Sequence, residues 1–193
     1  MASNIDVTIP PLGTPTTGGV RANFAAAKTE IEALQSAIGF ADYNDTATAV
    51  TPISVSASTW TKLTNNKLGA QTKIDALPSG ITNLWNATTN QLAFSEVPIN
   101  SMLEIRADLI VTTTAANQIL KLRTKLGIGS ASEFSSELSD IQLKTAGAKT
   151  VIETFHFYIG YDDIKNSPGE IQIWSDAACT VKVNGWYIRV VKK

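Results

Sequence analysis

The spacing of apolar residues changes once along this 193-residue chain, and that change constrains the fold more than any other feature. Between residues 20 and 38, apolar side chains recur at alternating steps of four and three. From about residue 45 onward they recur at every second position. The first spacing is that of a helix with one apolar stripe, and the second is that of half-buried antiparallel strands. The sequence therefore predicts one short helix followed by an all-β domain.

The helical segment carries a heptad pattern that predicts a short coiled coil. Its expected contacts between copies of the chain are Phe24, Ala27, Ile31, Leu34 and Ile38. Gly39 is a natural helix stop after the last of these positions. Fewer than three heptads also fit a single amphipathic helix lying on its own domain. Isoleucine at a with leucine at d favours dimers in simple peptides, so the seam alone does not establish a trimer.

Six segments of the β region alternate clearly between apolar and polar residues. They are TAVTPISVSA (48–57), MLEIRADLIV (102–111), ILKLRTKL (119–126), TVIETFHFYIG (150–160), EIQIW (170–174) and TVKVNGWYIRVV (180–191). Turn-forming residues such as Pro78-Ser79-Gly80 and Asn166-Ser167-Pro168-Gly169 separate them. Many short strands at this spacing are typical of an antiparallel β-sandwich or jelly roll. We therefore expect a mainly β fold with two parts: an arm and helix over 1–39, and a β-sandwich over 45–193.

The first 19 residues are rich in proline, glycine and threonine, so they cannot build a core of their own. Proline favours an extended chain. We expect this arm to be held on a partner, with Pro10, Pro11, Leu12 and Pro15 as its anchoring residues. It has neither the basic nor the apolar region of a signal peptide, and no run of about 18 apolar residues predicts a membrane span.

Charge and side-chain inventory argue against several functional classes. Sixteen Lys and Arg face 17 Asp and Glu, a balance that does not favour nucleic acid or an anionic membrane as the partner. The only histidine, His156, lies in a predicted strand between two phenylalanines, and the only cysteine, Cys179, is expected to be a packing residue. Phosphate-loop, dinucleotide-binding and nucleophile-elbow motifs do not occur. We therefore expect no enzyme activity, no catalytic or metal site and no cofactor.

Four tryptophans suggest a possible sugar-binding role, because stacked aromatic rings can bind carbohydrate. Core packing is the simpler explanation for most of Trp60, Trp85, Trp174 and Trp186. Trp85 lies in the turn-rich stretch NLWNATTNQLAF and is the best candidate for a ligand contact.

Two stretches resemble proteins of tailed-bacteriophage virions. The first, PLGTPTTGGVRANFAAAKTEIEAL, is similar to an N-terminal pattern in which a Gly-Pro-rich arm precedes an Arg-x-x-Phe helix; the matching residues are Gly13, Pro15, Gly18, Gly19, Arg21 and Phe24. The second is the β region, where 60–69, 102–111, 155–160 and 184–191 resemble the TNF/C1q-like jelly-roll modules that end phage head fibres and decoration proteins. Such modules are usually trimers.

The resemblance implies a structural virion protein, namely a homotrimeric capsid decoration protein or head fibre that its N-terminal arm anchors. Its partners would be the major capsid protein or another virion protein, and it would be assembled in the bacterial cytoplasm. One alternative is a short tail or baseplate fibre that binds a host-surface glycan. A carbohydrate-active enzyme module is a further alternative from a different class.

Overall fold

The structure is a computed structural model that describes residues 17–35, 37–138 and 140–193. The predicted arm residues Pro10, Pro11, Leu12 and Pro15 lie outside this part of the chain. The elements in chain order are α1 (Thr17–Gln35), β1 (Ile38–Asn44), α2 (Ala47–Val50), β2 (Ile53–Val55), β3 (Thr61–Lys62), β4 (Trp85–Asn86), β5 (Gln91–Leu92), β6 (Met102–Thr113), β7 (Gln118–Leu126), β8 (Phe134–Glu137), β9 (Ile141–Leu143), β10 (Gly147–Tyr158), α3 (Asp162–Asn166), β11 (Glu170–Ser175) and β12 (Cys179–Val191).

The strands form two five-stranded antiparallel sheets and one small hairpin. Sheet I has the order β1-β12-β6-β10, with β2 pairing β12 beside β1. Sheet II has the order β3-β11-β7-β8, with β9 also pairing β7, and β4 pairs β5. Most neighbours in the sheets are distant in sequence, as in a jelly roll. The expected mainly β, antiparallel sandwich is thus confirmed.

The core lies between the two sheets and is built from the period-two pattern. On β6, every second residue from Leu103 to Val111 is buried, and the residues between them face outward. On β7 the same alternation buries Leu120, Leu122 and Leu126 from the opposite sheet. Each fully buried leucine or isoleucine contributes about 1.5–3 kcal/mol. Alternation alone therefore sets both the strands and which of their faces is inside.

The helix begins and ends about three residues before the predicted segment. Ile38 is the first residue of β1 and pairs with Val191 of β12, so it is not a helical heptad position. Gly39 is a strand residue rather than a helix stop. A Cβ at Gly39 would overlap the carbonyl oxygen of Ala76, which accepts a hydrogen bond from the Phe40 amide. The sandwich accordingly begins at Ile38 and not at residue 45.

The segment predicted as a strand over 48–57 is divided in two. Residues Ala47–Val50 form one helical turn, and only Ile53–Val55 pairs with β12. The Asp45 carboxylate accepts hydrogen bonds from the Thr48 amide at 2.6 Å and the Thr48 hydroxyl at 2.7 Å. This local bonding by an aspartate competes with strand pairing, which the alternation pattern does not reveal.

Candidate assembly surface

One row of apolar side chains lies exposed across the outer face of sheet I. The strand registers place Ile38, Val191, Met102 and Tyr158 opposite one another on four adjacent strands. Ile38, Met102 and Tyr158 are 52 %, 59 % and 59 % exposed. We call these four residues the apolar row. A contiguous apolar patch on a sheet face is typical of an interaction site.

Two apolar side chains of α1, which precedes this row in the sequence, are also exposed. Phe24 is 72 % exposed and Ile31 is 54 % exposed, seven residues apart along the helix. Only two residues separate the end of α1 at Gln35 from Ile38, the first member of the row. Of the other predicted seam residues, Ala27 is half-buried, and the structure does not describe the side chain of Leu34. The apolar stripe of the helix and the apolar row are therefore close to each other in sequence.

A groove beside the edge strand β10 extends the apolar row. It has a volume of about 350 Å³ and is lined by exposed Phe134, Tyr158 and Tyr161, together with Phe157 and His156. Tyr158 belongs to both features, so the row and the groove form one continuous surface. This surface collects aromatic side chains, which are enriched in protein interfaces.

The edge of β10 is protected in its first half and not in its second. Lys149 pairs with Val111 and Glu153 with Ala107, both buried, so these two charged residues point toward the inner side of the sheet. Inward-pointing charges on an edge strand discourage pairing with another chain. From Phe155 to Tyr158 the only ionisable group before the terminal tyrosine is His156. The groove opens beside this unprotected half.

A charged row lies next to the apolar row. Phe40, Arg189, Glu104 and His156 are opposite one another in the registers of the same four strands. The Glu104 carboxylate lies 3.6 Å from His156 Nε2 and 4.0 Å from the Arg189 guanidinium. The His156 side chain is thus on the outside, and it contacts a carboxylate rather than a nucleophile. Next along the sheet, the ring of Phe40 stacks on Tyr187 at 5.3 Å.

Two of the four tryptophans, Trp85 and Trp186, lie in the core, and the other two lie on the outer face of sheet II. Trp85, the expected ligand contact, is fully buried, so that prediction is wrong. Its indole N–H donates to the Asn65 carbonyl at 2.8 Å, and its ring packs edge-on against buried Trp186 at 5.7 Å. By contrast, Trp60 and Trp174 are half-buried on the outer face of sheet II, where each lies close to a cation.

Among residues 17–35, 37–138 and 140–193, no group of three or more His, Cys, Asp or Glu side chains is arranged to hold a metal ion. Cys179 is buried, and burial raises the pKa of its thiol. Within the same ranges, no helix is both long and apolar enough to cross a membrane.

Comparisons with known proteins give similarities of fold only. No known family model matches the sequence, and no curated protein is significantly similar to it. The Eiger TNF of S. frugiperda is 9 % identical and superposes with a TM-score of 0.47 over 81 % of this chain and 92 % of that one. The PRD1 vertex protein P5 is 17 % identical, with a TM-score of 0.39 over 80 % and 95 %. The CBM22-1 xylan-binding domain of Paenibacillus barcinonensis Xyn10C is 18 % identical, with a TM-score of 0.38 over 73 % and 94 %. At these values no residue role, ligand or partner is carried over.

Proposed function

We propose that this protein is a non-catalytic structural component of a tailed-phage virion, a homotrimeric capsid decoration protein or head fibre that residues 1–19 anchor. The observation that carries the proposal is the continuous apolar surface formed by the apolar row and the β10 groove, together with the exposed apolar side chains of α1. A monomer would leave Phe24, Met102 and Tyr158 in water. A structural protein that works as a closed assembly would bury them.

The arrangement of this surface allows a ring as well as a two-fold dimer, because one part of it lies on the face of sheet I and the other at its edge. The apolar row lies on the face of sheet I, whereas the groove opens at its β10 edge. If the edge of one copy packs on the face of the next, each copy uses two different surfaces, which is a heterologous contact. Such contacts close into a cyclic ring, and three short helices can then meet on the ring axis with Phe24 and Ile31 inward. The resemblance of the β region to TNF/C1q-like jelly-roll modules is what selects the trimer, and the resemblance of the N-terminal sequence to phage virion proteins is what suggests the virion as its location.

The arm supplies the proposed attachment to the major capsid protein or another virion protein. Proline favours an extended chain, and an extended segment suits docking along another protein's surface through its backbone groups. Ordering an extended segment costs about 1–2 kcal/mol per residue. Three arms on one trimer act together and reduce the effective cost of attachment.

The first test measures the assembly in solution. Native mass spectrometry and light scattering should give three times the 20.6 kDa chain mass. Replacing Phe24 and Ile31 with asparagine should weaken association, because each buried apolar side chain contributes about 1.5–3 kcal/mol. A monomer whose mass does not change with concentration would contradict the trimer.

The second test concerns attachment. Deleting residues 2–16 ends the truncation before Thr17, the first residue of α1, and should leave a folded trimer. Co-sedimentation with undecorated phage heads should be lost in the truncated protein and retained in the full chain. Equal binding by both forms would place the attachment surface on the sandwich. Binding of the full chain to tails or host cells but not to heads would instead indicate a tail or baseplate fibre.

A further inference from the structure

The outer face of sheet II presents two tryptophans side by side. Gln172 pairs with Lys62 and Ile173 with Thr61, and one further step of that register places Trp174 opposite Trp60. Beyond Thr61 the two segments stay hydrogen-bonded, since the Ser58 amide donates to the Ser175 carbonyl at 2.7 Å, one residue out of the register of β3 and β11. The two indoles are therefore neighbours across β3 and β11.

One face of the Trp60 ring lies against the Arg123 side chain. The Arg123 guanidinium carbon lies 4.0 Å from its centroid, and Arg123 Nε donates to Gln172 Oε1 at 2.8 Å. The Arg123 side chain is only 18 % exposed and Gln172 only 9 % exposed. Because both are covered while the indole is half-exposed, we place the ring over them with its other face toward solvent.

Trp174 has a similar support. Lys121 lies opposite it on β7, with its ammonium 5.5 Å from the ring centroid and 3.2 Å from the Asp140 carboxylate. The lysine is thus held between a ring and a carboxylate. Rings fixed in this way lose little conformational freedom when a ligand binds, which lowers the entropic cost of association.

The charges on this face are balanced pair by pair. Each of its four cations contacts one carboxylate: Lys62 with Glu170 at 3.2 Å, Lys121 with Asp140 at 3.2 Å, Arg123 with Glu137 at 3.5 Å and Lys125 with Glu133 at 2.8 Å. An acidic polymer would have to break these pairs before it could bind, so the face does not favour nucleic acid or an acidic polysaccharide. The carboxylates, ammonium groups and amides remain suitable partners for hydroxyl groups.

We infer that the outer face of sheet II binds a neutral polysaccharide, with sugar rings stacked on Trp60 and Trp174. The C–H groups on one side of a pyranose ring carry partial positive charge, and the face of an indole is electron-rich. Lys62, two residues from Trp60 on the same face and 36 % exposed, is the nearest charged group that can donate to a sugar hydroxyl. An open, flat face fits an extended chain rather than a small molecule that needs an enclosing pocket.

The experiment is affinity electrophoresis of the full-length protein in native gels that contain one soluble polysaccharide each. The neutral probes are xylan, mixed-linkage β-glucan, galactomannan and dextran, and the acidic probe is alginate. We expect retardation by at least one neutral probe. The W60A and W174A variants should each bind it about tenfold or more weakly, the loss expected when an aromatic anchor is truncated. The W174F variant, which keeps a ring, should stay within about threefold of the parent.

Near-ultraviolet circular dichroism and the mass of the assembly show whether each variant is folded. If W174A is not folded, the comparison of the parent with W60A and W174F still tests the inference. Absence of retardation by every neutral probe would overturn the inference. Equal retardation of the parent, W60A and W174A would also overturn it. So would retardation by alginate alone that high salt abolishes, because that result would assign the face to anion binding through its cations. The test uses no virion, so its outcome is independent of the capsid-binding proposal.

Discussion

The outer faces of the two sheets follow the same alternation rule, but their side chains differ in whether they have partners within one chain. On sheet II each outward cation contacts a carboxylate, and the tryptophans lie against cations. On sheet I the apolar row runs unpaired across four strands at the end nearest the helix. A face whose polar groups satisfy one another is stable in water, whereas exposed Met102 and Tyr158 gain free energy only when another surface covers them.

This contrast separates two kinds of outward residue that a hydropathy pattern treats alike. The outward polar side chains of sheet II find their partners within one chain, and we assign this face to contact with solvent and sugar. The outward apolar side chains at one end of sheet I remain exposed within one chain, and we assign them to contact with a second copy. Each of the following variants tests whether the two faces differ in this way.

The largest effect is expected from a charge placed in the apolar row. In the M102E variant, the buried apolar contact is lost and a carboxylate without a partner must be desolvated between copies. We expect association to weaken about 100-fold or more, with the monomer still folded, since Met102 is exposed within one chain. Sedimentation equilibrium over a range of concentrations measures this change.

The matched control for that variant is S135E on the outward face of β8, where Ser135 is also exposed. It adds the same charge to sheet II and should leave the association constant within about twofold of the parent. Equal weakening by both variants would remove the distinction between the faces.

The second effect concerns the stability of the fold itself. The R123A variant leaves Gln172 Oε1 without its donor and removes the cation below Trp60. We expect the free energy of unfolding to fall by about 1–3 kcal/mol, the cost of an unsatisfied buried polar group. The R189A variant on sheet I should change it by less than about 0.5 kcal/mol, because Arg189 is 47 % exposed and 4.0 Å from Glu104. Urea unfolding at one fixed protein concentration compares the two variants, and a larger loss in R189A would reverse the assignment.

The sequence predicted the strands β6, β7, β10, β11 and β12 because period-two alternation sets both the element and its buried side, whereas β1, β4, β5, β8 and β9 lie outside the alternating segments. It could not predict that Trp85 is buried, since the partner of its indole is the Asn65 carbonyl, 20 residues away in a segment without alternation. The outward position of Trp174 could have been found, because Ile171 and Ile173 alternate with it and are buried. Trp60 precedes a two-residue strand and gives no such signal.

The boundary between helix and sandwich was misplaced for a different reason. Ile38 lies seven residues after Ile31, so it continues the heptad spacing although it belongs to β1. The heptad pattern cannot reveal that β1 pairs with β12, because that pairing joins residues about 150 positions apart. The candidate assembly surface depends on the same long-range registers. It therefore becomes visible only when β1, β12, β6 and β10 are placed side by side.

A smaller effect is expected from a carboxylate on sheet II. Burial alone would raise the pKa of Glu170, but hydrogen bonds from Gln172 and Lys62 outweigh burial and hold this pKa below its ordinary value of 4.5. The ionised form therefore stabilises the folded state, fully above pH 4.5, and this contribution is lost as the pH falls through the lower folded-state pKa. We expect the E170Q variant to be less stable at pH 7 by under about 1 kcal/mol, and this deficit to vanish on acidification. A deficit that does not depend on pH would show that the charge of Glu170 is not involved.

The smallest effect has the opposite sign and lies on the outer face of sheet I. Burial raises the pKa of Asp42 above its ordinary value of 3.8, although the nearby Arg106 and a hydrogen bond from Asn44 act against this rise. Because the folded state takes up the proton more readily than the unfolded chain, the ionised carboxylate costs stability at neutral pH, and this cost is relieved as the pH falls through the raised pKa.

The D42N variant keeps an oxygen that can accept from Asn44, so it should be slightly more stable than the parent at pH 7, by under about 1 kcal/mol. Its stability advantage over the parent should shrink below the raised pKa and disappear below pH 3.8. The stability difference between E170Q and the parent also shrinks on acidification, but there the variant is the less stable protein. Thermal unfolding of both variants between pH 3 and pH 7 gives the two slopes in one series. Slopes of the same sign would contradict the opposite pKa shifts of these two carboxylates.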